Sequence, residues 1–73
     1  MQLEVIYNAS TLEDVKQSIE LHFGQPVRII PEKLSVFEQY QVRPTREFIP
    51  EAWRYRIVRR DGVYHFGKIK AEV

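Results

Sequence analysis

Residues 10–26 read STLEDVKQSIELHFGQP, and this stretch decides the fold because it marks both ends of a helix. Ser10 and Glu13 are spaced as a capping box, in which the serine oxygen accepts a backbone N–H and the glutamate reaches back. Gly24 suits the left-handed conformation that ends many helices, and a proline follows two positions later. A helix over Thr11–Phe23 is therefore predicted.

One side of this helix is apolar, which means that it must cover an apolar surface. The residues that share this side recur every three or four positions, and they are Leu12, Val15, Ile19 and Phe23. Strands are predicted on both sides of the helix, at Leu3–Tyr7 and at Val27–Ile30, where Pro31 ends the second one.

The stretch from Glu32 to Val42 is compatible with two structures. Its apolar residues alternate as in a strand, whereas Leu34 and Phe37 would also fit a helix that starts at Pro31. We favour a strand because β-branched and aromatic residues dominate the apolar positions. Residues 43–50 are predicted to form a loop, since two prolines there interrupt regular pairing.

The remainder of the chain predicts a β-hairpin. Its strands are Trp53–Val58 and Val63–Ala71, and Asp61 with Gly62 gives the turn signal between them. The element order is then β-α-β-β-β in a single α+β domain over residues 1–73. One helix packs on a mostly antiparallel twisted sheet, and a parallel crossover from the first strand to the second would be right-handed.

Two registers are open to this hairpin. A two-residue turn pairs Arg60 with Val63 and puts lysines on the same face as the best core residues. A type I turn with a glycine bulge pairs Arg59 with Val63 and separates apolar from charged residues, so we favour it. One face is then basic and aromatic, and it carries Arg54, Arg56, Val58, Tyr64, Phe66, Lys68 and Lys70.

The core follows from these elements, while the strand order does not. The residues expected inside are Leu3, Val5, Tyr7, Leu12, Val15, Ile19, Phe23, Val27, Ile29, Trp53, Tyr55, Ile57 and Ile69.

Composition argues against catalysis. The chain has no cysteine, which excludes disulfides, thiolate catalysis and sulfur-bound zinc. Its two histidines, His22 and His65, come with no paired carboxylate motif, and no glycine-rich loop is present to cradle phosphates. We expect no enzymatic activity, no cofactor and no metal.

Charge is distributed unevenly along a chain whose net charge is only +1. Residues 1–40 carry three basic and six acidic side chains, whereas residues 41–73 carry eight basic and four acidic ones. No apolar run approaches the roughly 20 residues of a membrane span. The absence of disulfides in so small a domain favours a cytoplasmic location.

Two classes of function remain. The leading hypothesis is a small protein-interaction domain with an accessory or regulatory role, because aromatic and arginine side chains are common interface anchors. The alternative is nucleic-acid binding through the basic hairpin face, in which rings stack on bases and cations bind phosphates. The candidate binding residues are Arg54, Arg56, Tyr64, Phe66, Lys68 and Lys70, extended by Arg43 and Arg46.

Self-association is a further expectation. A strand edge at Val27–Ile30 or Leu34–Val42 would pair with a second copy of the chain and form a homodimer.

Overall fold

The structure, a computed structural model, describes residues 2–33 and 38–70 of the chain. Within these residues five strands form one sheet, and one α-helix packs on a face of it. The predicted α+β class is confirmed, with the helix between the first two strands, and the sheet has one strand more than the order β-α-β-β-β names. In chain order the elements are β1 (Leu3–Ala9), α1 (Leu12–Phe23), β2 (Val27–Glu32), β3 (Gln39–Pro44), a 3₁₀ helix (Ala52–Arg54), β4 (Tyr55–Arg60) and β5 (Val63–Ile69).

The strand order is β1-β5-β4-β3-β2, and every neighbouring pair is antiparallel. The strands β1 and β2 therefore lie at opposite edges of the sheet and never pair. The helix α1 connects the two edges and contacts β1, β5 and β2 on the way. We call the sheet face that α1 does not cover the open face.

The helix begins one residue later than predicted, and its cap is a different hydroxyl. Thr11 has extended backbone (φ −126°, ψ 151°), and its Oγ1 accepts a hydrogen bond of 3.1 Å from Asp14 N. The capping box predicted at Ser10 and Glu13 is thus wrong by one position, although the chemistry is the same. Gly24 ends the helix in the left-handed conformation (φ 69°), as predicted.

The hairpin adopts the register that the sequence analysis disfavoured. Asp61 and Gly62 both have positive φ, 52° and 77°, and Arg60 pairs with Val63 across a two-residue turn. This turn matches the twist of the flanking strands, and aspartate and glycine tolerate left-handed backbone. The consequence is that Phe66 lies opposite Ile57 on the helix side of the sheet.

Two strands extend across prolines that were predicted to interrupt them. Pro31 does not end β2, because β2 is an edge strand and a residue without an N–H is tolerated there. The strand β3 runs through Arg43 and Pro44, which were predicted to lie in a loop. The helix proposed to start at Pro31 is excluded at its first residues, whereas Leu34–Phe37 and Ala71 lie outside the described residues.

The core lies between α1 and the sheet. Its buried residues are Val15, Ile19, Val27, Val42, Ile57 and Phe66, and the half-buried residues packed on them include Leu12, Phe23, Ile29 and Tyr55. Leu3 and Ile69 are half-buried and pair with each other across β1 and β5.

Three of the predicted core residues are exposed. Val5 and Tyr7 lie on the edge strand β1 and are 48% and 37% exposed. Trp53 is 70% exposed, because β4 begins at Tyr55 and its alternation does not extend back to residue 53. The 3₁₀ helix buries Ala52 instead.

A glycine in β5 allows the edge strand β1 to pack closely against it. The pairing of β1 with β5 shifts between Val5 and Tyr7, which marks a β-bulge. A side chain at Gly67 would place its Cβ 2.1 Å from the backbone oxygen of Glu4. Only glycine therefore lets β1 approach β5 at this point.

Candidate functional site

The residues predicted to form one basic and aromatic face of the hairpin do not lie on the same side of the sheet. Phe66 is fully buried under α1, and Tyr64 packs half-buried against the same core. Arg56 is opposite Gly67 in the β4–β5 register, so its side chain is on the open face instead. The two registers differ by one residue, and that slip sends each half of the predicted set to a different side of the sheet.

The cations of that predicted set are also largely matched by glutamates. Arg56 Nε lies 2.6 Å from Glu32 Oε1, although its N–H is not aligned with that oxygen. Lys68 Nζ donates to Glu51 Oε2 at 3.0 Å, and Arg54 lies 3.9 Å from the same carboxylate. The nearby Lys68 ammonium lowers the pKa of Glu51 through its hydrogen bond. Only Lys70 of the predicted hairpin cations is fully exposed, after the end of β5.

A second group of contacts joins β3 to the hairpin. The Tyr40 hydroxyl donates to the Glu38 carboxylate, and Arg59 lies 3.4 Å from that carboxylate. The guanidinium of Arg59 also stands 5.5 Å from the centre of the Tyr64 ring. The hydrogen bond to Glu38 raises the pKa of Tyr40 to about 12, so this tyrosine is a poor general base.

Arg43 and Arg46 differ from Arg54, Arg56 and Lys68 because no described carboxylate forms a salt bridge with either. Arg43 lies at the end of β3 on the open face, and its Nη2 donates to Gln41 Oε1 at 2.8 Å. Arg28 lies directly opposite Arg43 in the antiparallel pair and is likewise unpaired.

A cleft of about 300 Å³ opens beside Arg43. It is formed where the segment between β3 and the 3₁₀ helix folds back along the open face. Its main lining residues are Gln41, Arg43, Phe48, Ile49, Trp53 and Arg56.

Two large aromatic side chains at this cleft are unusually exposed. Phe48 is 89% exposed and Trp53 is 70% exposed. Neither ring belongs to a β-strand that would place it in the core, because the loop carries Phe48 and the 3₁₀ helix carries Trp53. The cleft therefore combines uncovered apolar surface with the guanidinium of Arg43, which no described carboxylate neutralises.

The loop that carries Phe48 is held by a buried amide. Gln25 is 8% exposed, and its Oε1 accepts hydrogen bonds of 2.8 Å from both Arg46 N and Glu47 N. Its Nε2 donates to Glu47 O at 3.2 Å. Thr45 adds two hydrogen bonds from its N and Oγ1 to Pro26 O. The shape of the cleft is thus fixed from the turn that follows α1.

Sequence reasoning missed Phe48 and placed Trp53 in the core. A signal for Phe48 was present, since an aromatic residue in a loop bounded by Pro44 and Pro50 has no regular strand to bury it. No comparable signal marks Gln25, because its three hydrogen bonds join segments more than 20 positions apart.

Metal-binding and membrane-spanning features were searched in residues 2–33 and 38–70. In that part of the chain no three His, Cys, Asp or Glu side chains cluster as metal ligands. Nor does the described part contain a helix of the length and apolar character needed to cross a membrane. His22 lies among aromatic rings, 5.1 Å from Phe23 and 5.9 Å from Tyr55, centre to centre.

Comparison of the chain with protein-family models, with curated proteins and with solved structures gave no match.

Proposed function

We propose that this chain is a non-catalytic protein-interaction domain that docks a segment of a partner protein in the cleft beside Phe48 and Trp53. The exposure of these two rings carries the proposal. Large aromatic side chains that line a concave surface are the commonest anchors of protein interfaces. Covering one such ring contributes on the order of a few kcal/mol.

Preorganisation supports the same proposal. The hydrogen bonds of Gln25 fix the loop at Arg46 and Glu47, immediately before Phe48. The 3₁₀ helix holds Trp53, and its first and last N–H groups donate to Ile49 and Glu51 carbonyls. A rigid site loses little conformational entropy when a partner binds.

The ionisable groups support a binding role rather than catalysis. Among the described side chains, the pKa is shifted at Glu38, Tyr40 and Glu51, and each shift has a hydrogen-bonded partner as its largest cause. None of the three is a main lining residue of the cleft. We include a cytoplasmic location in the proposal, which the absence of cysteine supports.

Panning a displayed random-peptide library against the protein tests this function, with Phe48→Ala used for counter-selection. Trp53 is the chain's one tryptophan, so its fluorescence reports binding at the cleft directly. Surviving peptides should shift the Trp53 emission of the wild type and bind Phe48→Ala at least tenfold more weakly.

The matched control is Leu21→Ala, which removes another exposed apolar side chain, 84% exposed, from the helix on the opposite side of the sheet. This variant should bind the peptides as the wild type does. Peptides that bind wild type and Phe48→Ala equally, or no peptides at all, would overturn the proposed function.

A further inference from the structure

We infer that the segment docked in this cleft is acidic, with an apolar side chain set between Phe48 and Trp53 and flanking Asp or Glu carboxylates bound by Arg28 and Arg43. This inference rests on the proposed function and names the chemistry of the partner. The observation behind it is Arg43, which lines the cleft, together with Arg28 opposite it, neither of which forms a salt bridge with a carboxylate in the described residues.

Arg28 and Arg43 face each other across β2 and β3. They are directly paired in the antiparallel register, so both side chains project from the open face. Both residues are exposed. Like charges in directly opposite positions destabilise a sheet, and a bound carboxylate would relieve that repulsion.

Three other described arginines show how the protein treats a cation that it neutralises internally. Arg54, Arg56 and Arg59 each lie within 4.0 Å of a glutamate oxygen. No such contact is formed by Arg28, Arg43 or Arg46 with any carboxylate in residues 2–33 and 38–70. Arg28 and Arg43 thus lie side by side on the open face, and Arg46 lies in the loop two positions before Phe48.

Glu13 lines a second cleft together with Arg28 but forms no salt bridge with it. Glu47 is the only acidic residue in the segment 41–50, which carries both Arg43 and Arg46. Arg43 uses one N–H for Gln41 Oε1 and has further donors in its planar fork. A guanidinium of this kind binds a carboxylate through two parallel hydrogen bonds.

The edge of β2 favours side-chain recognition over strand addition. Val27 N donates to Glu20 Oε2 at 3.1 Å, and Pro31 has no N–H to offer. A partner strand would therefore find little to pair with along Val27–Glu32. This end of the sheet therefore offers a partner mainly the charged and aromatic side chains of the open face.

A single-stranded nucleic acid is the competing occupant, since bases stack on aromatic rings and phosphates bind arginine. We favour carboxylates because the net charge is only +1 and because the arginines that carry the inference are two, Arg43 in the cleft and Arg28 opposite it. Phosphate-tracking proteins rely on more extended basic surfaces.

The test is a Trp53 fluorescence titration with three synthetic peptides that share a central Leu-Phe pair. In the first peptide the flanking residues are glutamates, in the second glutamines and in the third lysines. A single-stranded oligonucleotide is titrated in parallel. The acidic peptide should bind at least tenfold more tightly than the neutral one, which corresponds to about 1.4 kcal/mol, and the basic peptide should bind most weakly.

Charge variants locate the effect. Arg28→Gln with Arg43→Gln should abolish the preference for the acidic peptide. The control combines Lys16→Gln, on the helix, with Lys33→Gln, just beyond the end of β2. It lowers the net charge by the same amount as the double arginine variant, and it should retain the preference for the acidic peptide. Circular dichroism of each variant verifies the fold.

The outcomes separate the inference from the function on which it rests. Peptides that bind in a Phe48-dependent way but without preference for glutamate overturn the inference and leave the proposed function standing. An oligonucleotide that binds more tightly than the acidic peptide overturns it in favour of nucleic acid. No change in Trp53 emission with any of the three peptides also overturns it, and panning then decides the proposed function separately.

Discussion

At the scale of single residues, Gln25 holds the loop that shapes the cleft, although it does not line the cleft itself. A glutamine amide carries both an acceptor and donors, and this side chain uses both kinds on one loop. A carboxylate in its place would keep the acceptor but lose the donor to Glu47 O. The geometry of the site therefore depends on a residue outside the site.

Gln25→Leu should destabilise the protein by about 1–3 kcal/mol, because it leaves the part-buried N–H groups of Arg46 and Glu47 without acceptors. Urea denaturation measures this change. The amides of Arg46 and Glu47 should also exchange hydrogen faster in the variant. Gln17→Leu, at an exposed position of α1, is the matched control. Equal effects of the two substitutions would contradict the role assigned to Gln25.

Gly67→Ala should lower stability by about 1–3 kcal/mol or more, since its Cβ would lie 2.1 Å from Glu4 O and overpacking cannot be relieved by a side-chain rotation. Thermal unfolding gives the magnitude. Amide exchange gives the location, and β1 should lose protection before β3 does. A variant as stable as the wild type would show that β1 can move away from β5 without cost.

At the scale of elements, the hairpin shows where local sequence stops being decisive. The signal at Asp61 and Gly62 predicted the turn correctly. The register, however, was predicted from the rule that charged and apolar residues lie on different faces. That rule failed because Lys68 forms a salt bridge of 3.0 Å with Glu51, a residue outside the hairpin. A lysine on the helix side of the sheet is tolerated when its partner comes from another segment.

Tyr40 in β3 donates a hydrogen bond to Glu38, just before the strand, and this contact leads us to expect an alkaline transition. Its pKa is raised from 10.0 to about 12 by the hydrogen bond that it donates to Glu38. The neutral hydroxyl is the form that the folded state favours, so its stabilising effect is present below pH 10.0 and is lost as the pH rises toward 12.

Ultraviolet titration of tyrosinate should accordingly show one late-titrating tyrosine, and Tyr40→Phe should remove that step. Tyr64→Phe serves as the control, because it keeps the Glu38 hydrogen bond. If the late step survives in Tyr40→Phe, another hydroxyl is responsible for it.

At the scale of the whole molecule, the uneven charge of the sequence is largely compensated inside the fold. Glu32 and Glu38 come from the acidic part of the chain, and they pair with Arg56 and Arg59 from the basic part. The charge that remains uncompensated in the described part of the chain includes Arg28, Arg43 and Arg46, which form no salt bridge with a described carboxylate.

Glu32→Gln should destabilise the protein more than Glu51→Gln does. The side chains of Glu32 and Arg56 are only 25% and 16% exposed, so the substitution leaves a poorly hydrated guanidinium without its counter-ion. A loss of about 1–3 kcal/mol is expected for Glu32→Gln by urea denaturation. Glu51 is 60% exposed, and water can replace its contacts. The reverse ranking would contradict this account.

Much of the fold could be predicted from local patterns, because the helix cap, the apolar stripe and the turn each act within a few residues. The burial of Phe66, the strand order and the exposure of Trp53 could not be predicted in this way. Phe66 changes sides with a one-residue slip, and Trp53 is exposed because a 3₁₀ helix replaces the start of a strand. The cleft depends on contacts between segments that are distant in the sequence, and for that reason the sequence analysis missed it.

The neighbouring positions of β1 and β5 have a consequence for synthesis on the ribosome. Leu3 is made early, yet its pairing strand starts at Val63, 60 positions later. At about 5–20 residues per second, β1 waits roughly 3–12 s for its partner. Meanwhile β2, β3 and β4 can already form a meander. The nascent chain thus carries an unpaired strand with Val5, Ile6 and Tyr7, which is a natural target for a chaperone until β5 emerges.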